Sequence, residues 1–223
     1  MEITFARRFR GPLATANGGY ACGALASYVD ADEVEVTLRL PPPLERPLGI
    51  RREGDSTVLV DVDSVVAEAR PAALALEAPE PVSVAAAEDA ATRHVPVGNP
   101  LFRECFVCGV RDEADGLQIH AGAVAGREPV LAAPWVPRES SPPIVWAAID
   151  CPGAYAVGDG GRGEIVLGRM TARVLRVPEP GERCVVVSWP LGEDGRKLHA
   201  GTALFDEGGD VLALARQVWI EPR

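Results

Sequence analysis

Apolar and polar residues alternate along most of this chain, and the alternation gives way to a pattern suited to a core helix at two places, residues 18 to 29 and 143 to 157. Strands are predicted over residues 2 to 9, 33 to 40, 47 to 53 and 56 to 70, each bounded by turn residues. The first helix follows Asn17, which can cap it; small residues and Leu25 come next without proline, and Tyr20, Ala24 and Val29 fall near one face. Beyond Pro71 a softer stretch ends in Val84 to Arg93, bounded by Pro79, Pro81 and Pro96, and reads as a short helix inside a linker. A boundary near residue 95 follows, so that residues 1–95 form one half with its linker and residues 96–223 the other. The second half repeats the order, with strands near 117 to 124 and 129 to 136, the helix, and strands near 165 to 177, 183 to 190, 197 to 206 and 211 to 220.

Each half is thus one helix followed by a meander, and short identities point to an internal duplication. Thr37-Leu38-Arg39-Leu40 matches Thr171-Ala172-Arg173-Val174 at an offset of 134, and Ala67-Glu68-Ala69-Arg70 matches Ala213-Leu214-Ala215-Arg216 at an offset of 146. A longer hairpin around Gly192-Glu193-Asp194-Gly195 accounts for the drift between them.

Composition excludes several classes of partner. The formal net charge is −10, with no run of Lys or Arg, so phosphodiester backbones and anionic membranes are repelled. The uninterrupted apolar stretches, such as Ile144 to Ile149, fall far short of the roughly 20 residues that span a bilayer. Arg7, Arg8 and Arg10 are followed by Gly11-Pro12 and by residues too small and polar for a signal-peptide core, so a cytoplasmic protein is expected. Five cysteines at irregular spacing are an odd set and do not describe a disulfide framework. The 23 glycines and 20 prolines stay below the roughly one quarter of residues at which composition argues for disorder, so a folded chain is expected.

Several motifs resemble those of a known superfamily. Asn17-Gly18-Gly19-Tyr20 is similar to the opening of the N-terminal half in acyl-CoA thioesterase II-like proteins. Cys105-Phe106-Val107-Cys108-Gly109 with Gly116-Leu117 resembles a segment that precedes the first strand in many single hot-dog thioesterases; Pro180-Gly181-Glu182 with the following Cys184-Val185-Val186-Val187 resembles their common hairpin. The resemblance implies an α+β double hot-dog, with two curved antiparallel sheets each wrapped around one central helix. It also implies an acyl-CoA or related thioester as substrate, with CoA present only as part of that substrate and no separate cofactor. Assembly into homo-oligomers is common in the family, and the sequence does not specify it.

Thioester hydrolysis needs a polarised carbonyl and an activated water. The free N–H groups of a helix N-terminus supply the first, and Gly18 and Gly19 suit that task because a residue without Cβ lets substrate approach the backbone; tight packing at a Gly pair is the alternative. Asp150 stands alone in an otherwise apolar helix, where it is either buried with a raised pKa or on the exposed face. Many hot-dog enzymes carry an acid there and a His-Gly-Gly nine residues earlier, where this chain has Ser141-Pro142-Pro143, while Ala26 stands nine residues beyond Asn17. Each half keeps what the other lacks, which suggests one composite site with Asn17, Gly18 and Gly19 from the first half and Asp150 from the second. The acid that acyl-CoA thioesterase II carries on the following strand is absent at Gly168-Arg169, whereas its glutamine on the last strand has a match in Gln217. A non-catalytic protein binding acyl or other apolar ligands is the alternative reading.

Arg169 and Arg173 alternate with apolar neighbours and suit CoA phosphates, as salt bridges to the many acids would equally explain. Cys105 and Cys108 have zinc-ligand spacing, but no second Cys-x-x-Cys or His pair accompanies them and His120 is the nearest further donor, so no metal site is expected. His94 falls in the linker and His199 on a strand, while Trp135, Trp146, Trp189 and Trp219 read as core or interface aromatics.

Overall fold

A computed structural model describes residues 1–11, 15–96, 102–112, 115–158 and 165–221. The first half runs β1 (Glu2–Thr4), a 3-10 turn (Arg7–Phe9), α1 (Gly18–Ala26), β2 (Glu33–Leu38), β3 (Pro47–Glu53), β4 (Ser56–Asp61) and β5 (Ser64–Pro71), followed by α2 (Val84–Ala91). The second half runs β6 (Gly122–Ala123), β7 (Leu131–Trp135), α3 (Pro142–Ala148), α4 (Cys151–Val157), β8 (Val166–Val174), β9 (Cys184–Asp194), β10 (Lys197–Asp206) and β11 (Val211–Ile220). The expected boundary near residue 95 adjoins residues 97–101, which lie outside the described ones.

Several elements differ from the sequence pattern, among them the strand expected near 117 to 124, which forms only over Gly122–Ala123. The first strand stops at Thr4, and the arginine-rich stretch after it coils into the 3-10 turn. The single strand expected over 56 to 70 is a hairpin, because Val62 at φ 56° turns the chain between β4 and β5. The helix expected over 143 to 157 is broken at Ile149 and Asp150 into α3 and α4.

The fold departs from two separate sheets. Among the described residues the strands form one eleven-stranded sheet in the order β1-β3-β4-β5-β2-β8-β11-β10-β9-β7-β6, and the halves join where β2 pairs antiparallel with β8. Glu35 faces Thr171 and Thr37 faces Arg169, so Val36 pairs with Met170. These two residues are themselves 134 apart, so the register has the local two-fold symmetry that the Thr37/Thr171 identity requires. The second identity is displaced by two residues: Thr37 pairs with Glu68 and Thr171 with Arg216, so Glu68 is equivalent to Arg216 rather than to Leu214.

Two glycines let the helices meet. Gly19 and Gly23, one turn apart on α1, face α3: a Cβ on Gly23 would lie 2.6 Å from Trp146 Cβ, and one on Gly19 would lie 2.4 Å from Asp150 Cβ. The Gly pair expected to admit a substrate is therefore covered at Gly19 by Asp150, and at Gly18 by Leu167, whose side chain would lie 3.1 Å from a Cβ at that position. The main core lies between these helices and the sheet, where Leu25, Val36, Ile149 and Met170 are fully enclosed. A satellite core forms on the opposite side, where Val84, Ala87 and Ala90 of α2 meet Val185, Val187 and Phe205. This explains the continuous apolar run Cys184 to Val187, since Cys184 and Val186 face the main core while Val185 and Val187 face α2. Among the described residues no helix is long and apolar enough to cross a membrane.

Candidate functional site

Asp150 occupies the break between α3 and α4 and is 2% exposed. Its Oδ2 accepts hydrogen bonds from the Gly19 N–H and from Asn17 Nδ2, both at 2.9 Å. The other oxygen, Oδ1, is buried without a partner among the described residues. Asn17 caps α1 as its sequence position suggested, its Oδ1 accepting from the Tyr20 N–H at 2.9 Å. One amide side chain thus holds both the start of α1 and the Asp150 carboxylate. Burial pushes the Asp150 carboxyl up to about 7, against the downward pull of the Gly19 N–H; charge on Cys105 adds to the rise and Asn17 opposes it.

The structure brings Asn17, Gly19 and Asp150 into direct contact and leaves Gly18 beside them. The Gly19 N–H is committed to Asp150, whereas the Gly18 N–H has no partner among the described residues. Gln217 stands behind the site. Its Nε2 donates to the carbonyls of Ile149 and Asp150, and its Oε1 accepts from Trp219 Nε1 at 2.8 Å. Thr202 Oγ1 donates to the same Ile149 carbonyl at 2.8 Å. Both side chains are fully buried, and together they satisfy the carbonyls that the helix break exposes. Thr202 had no sequence signal, because a threonine within a strand is ordinary.

Arg169 and Arg173 lie apart from this centre, at the seam of the two halves. Arg173 pairs with Glu33 at 2.9 Å, and Arg169 donates to Thr37 Oγ1 at 3.1 Å with Glu35 at 3.6 Å. An open groove there is lined by Ala31, Glu33, Pro71, Arg173 and Leu175.

The Cys-x-x-Cys segment packs against the start of α1, where Phe106 meets Phe9 and Tyr20 edge-on and its N–H donates to the Arg10 carbonyl at 2.7 Å. Here the structure adds a residue that spacing did not reveal. Cys151, the first residue of α4, brings its sulfur to 3.6 Å from Cys105 Sγ, and the sulfurs of Cys105, Cys108 and Cys151 all lie within 4.8 Å of one another. Hydrogen bonds from Cys108 and Cys151 hold the Cys105 thiol well below its ordinary value, and those two thiols are pushed up because each donates to it. His120 stacks on His94, which in turn meets the edge of Tyr155, and it is not part of the sulfur cluster.

No family model matches the chain, and neither does any curated protein. Solved structures do. A conserved protein of unknown function with a hot-dog fold from Alicyclobacillus acidocaldarius superposes with a TM-score of 0.67 at 14% identity, covering 100% of this chain and 92% of that one. A tesB protein from Mycobacterium avium subs. paratuberculosis gives 0.66 at 12% identity with the same coverage. The acyl-CoA thioesterase II TesB2 from Mycobacterium marinum gives 0.59 at 10% identity over 93% of this chain and 90% of that one. These likenesses identify the fold as a hot-dog. More particularly, the double hot-dog reading fits, since the likeness extends over both halves of the chain.

Proposed function

We propose that this protein hydrolyses an acyl thioester of the acyl-CoA type, with Asp150 as the group that activates water. The observation that carries the reading is the Asp150 carboxylate, enclosed at the N-terminal end of α1 with one oxygen bound and the other unpartnered among the described residues. In the step proposed, Asp150 Oδ1 takes a proton from a water whose oxygen bonds to the thioester carbon. The carbonyl electrons move onto its oxygen, which the Gly18 N–H and the positive end of α1 stabilise. Collapse breaks the C–S bond, and the proton passes from Asp150 to the departing sulfur, giving a carboxylic acid and a thiol. Asn17 and the Gly19 N–H position the carboxylate, and Gln217 positions the backbone that carries it. Arg169 and Arg173 are the basic groups offered to CoA phosphates, which would replace Glu35 and Glu33 as their partners. The shared fold with a protein named acyl-CoA thioesterase II supports the substrate class.

A second reading, a non-catalytic binder of acyl or other apolar ligands, is favoured by the commitment of the Gly19 N–H and the Gln217 amide to partners inside the protein. Thiol release from short, medium, long and aromatic acyl-CoAs separates the two. Turnover by the wild-type protein that falls about 100-fold or more in Asp150→Asn, with an unchanged melting profile, is the expected result. Undiminished turnover in the variant overturns the role of Asp150, and no turnover on any substrate by folded wild-type protein favours the binder.

A further inference from the structure

Three buried sulfurs converge beside Asp150. Cys105 and Cys108 sit in the tight turn that ends at Gly109, whose N–H donates to the Cys105 carbonyl at 3.0 Å. A Cβ on Gly109 would lie 2.5 Å from that carbonyl oxygen and 2.6 Å from Cys105 N, so the turn closes this tightly only because a glycine follows the second cysteine. Asn17 Nδ2 lies 3.9 Å from Cys105 Sγ and 3.8 Å from Cys151 Sγ. One amide group thus faces two of the three sulfurs.

The spacing fits one ion. A tetrahedral cation with bonds of about 2.3 Å to sulfur holds its sulfur ligands about 3.8 Å apart. The Cys105–Cys151 pair is already at 3.6 Å, and the others lie within 4.8 Å, so closure takes about 1 Å or less of side-chain movement. Hard cations that demand oxygen ligands are excluded by a donor set of three sulfurs. Three thiolates leave a net charge of −1 around Zn²⁺ and −2 around Cu⁺, and the buried setting favours the smaller charge.

We propose that Cys105, Cys108 and Cys151 bind one Zn²⁺ through three thiolates, with an oxygen donor completing the tetrahedron. The site ties the Cys105–Gly109 turn to the start of α4, across the joint between the N-terminal segment and the Asp150 helix break. None of the three sulfurs takes part in the proposed hydrolysis, although Asn17 faces both the sulfurs and Asp150. Binding displaces the remaining thiol protons into solvent.

The test uses the full chain, purified under reducing conditions without chelators. Elemental analysis is expected to find one zinc per chain, and Co²⁺ added to chelator-stripped protein should give an intense sulfur-to-cobalt charge-transfer band with the visible bands of a tetrahedral site. Cys105→Ser and Cys151→Ser should each lose more affinity than the roughly 10- to 100-fold that loss of an outer partner costs, while Cys184→Ser, outside the cluster, should bind as wild type. Folded, reduced wild-type protein that takes up neither Zn²⁺ nor Co²⁺ overturns the proposal, whether or not the thiols form a disulfide on oxidation. So does wild-type affinity in Cys151→Ser. Should the variants fail to fold, the wild-type titration decides.

Discussion

Asp150 and Gly19 show how much one missing side chain controls. The carboxylate reaches the start of α1 only because residue 19 has no Cβ, and the same gap admits the Trp146 carbonyl, 2.7 Å from where that Cβ would be. Gly19→Ala must therefore push α1 away from α3 and break the hydrogen bond to Asp150 Oδ2. A loss of about 2–4 kcal/mol in unfolding free energy is expected from overpacking and a weakened buried hydrogen bond together. Gly208→Ala, where a Cβ meets only Asp206 Oδ1 at 3.3 Å, should stay within about 0.5 kcal/mol of wild type in the same denaturant titration. Equal effects in the two variants would contradict the close contact between α1 and α3. The sequence marked Asn17, Gly18, Gly19 and Asp150 as one group. It did not distinguish the two glycines, because which N–H is consumed depends on where a carboxylate more than a hundred residues away comes to rest.

At the scale of elements, the connection from β8 to β9 is secured by charge as well as by the packing of Val177 on the core. Arg176 forms two hydrogen bonds to Glu182, at 2.8 and 2.6 Å, and reaches Asp206 at the end of β10. The hydrogen bond from Arg176 holds the Glu182 carboxyl down at about 2, from an ordinary value of 4.5. A carboxyl depressed in the folded state contributes stability that is fully present above its unfolded pKa and is lost as pH falls through its folded one. The stability difference between wild type and Glu182→Gln should thus be constant at neutral pH, shrink from pH 4.5 downward and vanish near pH 2. Its size should be small, since Arg176 is exposed and solvent screens the pair. Urea titrations across that range measure it, and a difference that grows on acidification would contradict the pairing. Periodicity located β8 to β11 and both helical segments. The break at Ile149 and Asp150 has a local cause in Pro152, whose missing N–H cannot continue α3, and Thr202 and Gln217, from strands far along the chain, satisfy the carbonyls it frees.

For the whole molecule, the seam between β2 and β8 turns two halves into one sheet. Val36 and Met170 meet on it, both fully buried, and the helices of the two halves cross directly above, so neither half presents a finished core without the other. Thermal unfolding followed by far-UV circular dichroism and by tryptophan fluorescence should accordingly show one coincident transition. Met170→Asp places an unpaired charge in the seam and should cost about 3–5 kcal/mol, or prevent folding altogether. Two separate transitions in the wild-type protein, or a Met170→Asp variant of wild-type stability, would show that the halves stand independently.

Local order is legible in the chain alone: where strands alternate, where Asn17 starts a helix, and that a helix and meander occur twice. Those features depend on neighbours within a few residues, whose hydrophobic period and capping chemistry are written directly into the amino-acid order. The motifs also carried the resemblance that the hot-dog fold bears out. Three features had to await the folded chain: two sheets merge into one, Asp150 meets Asn17 and Gly19 at the start of α1, and Cys151 joins Cys105 and Cys108. Each of these joins residues tens of positions or more apart, and the distances between them are fixed by strand register and by how closely two helices can cross, which no local pattern encodes.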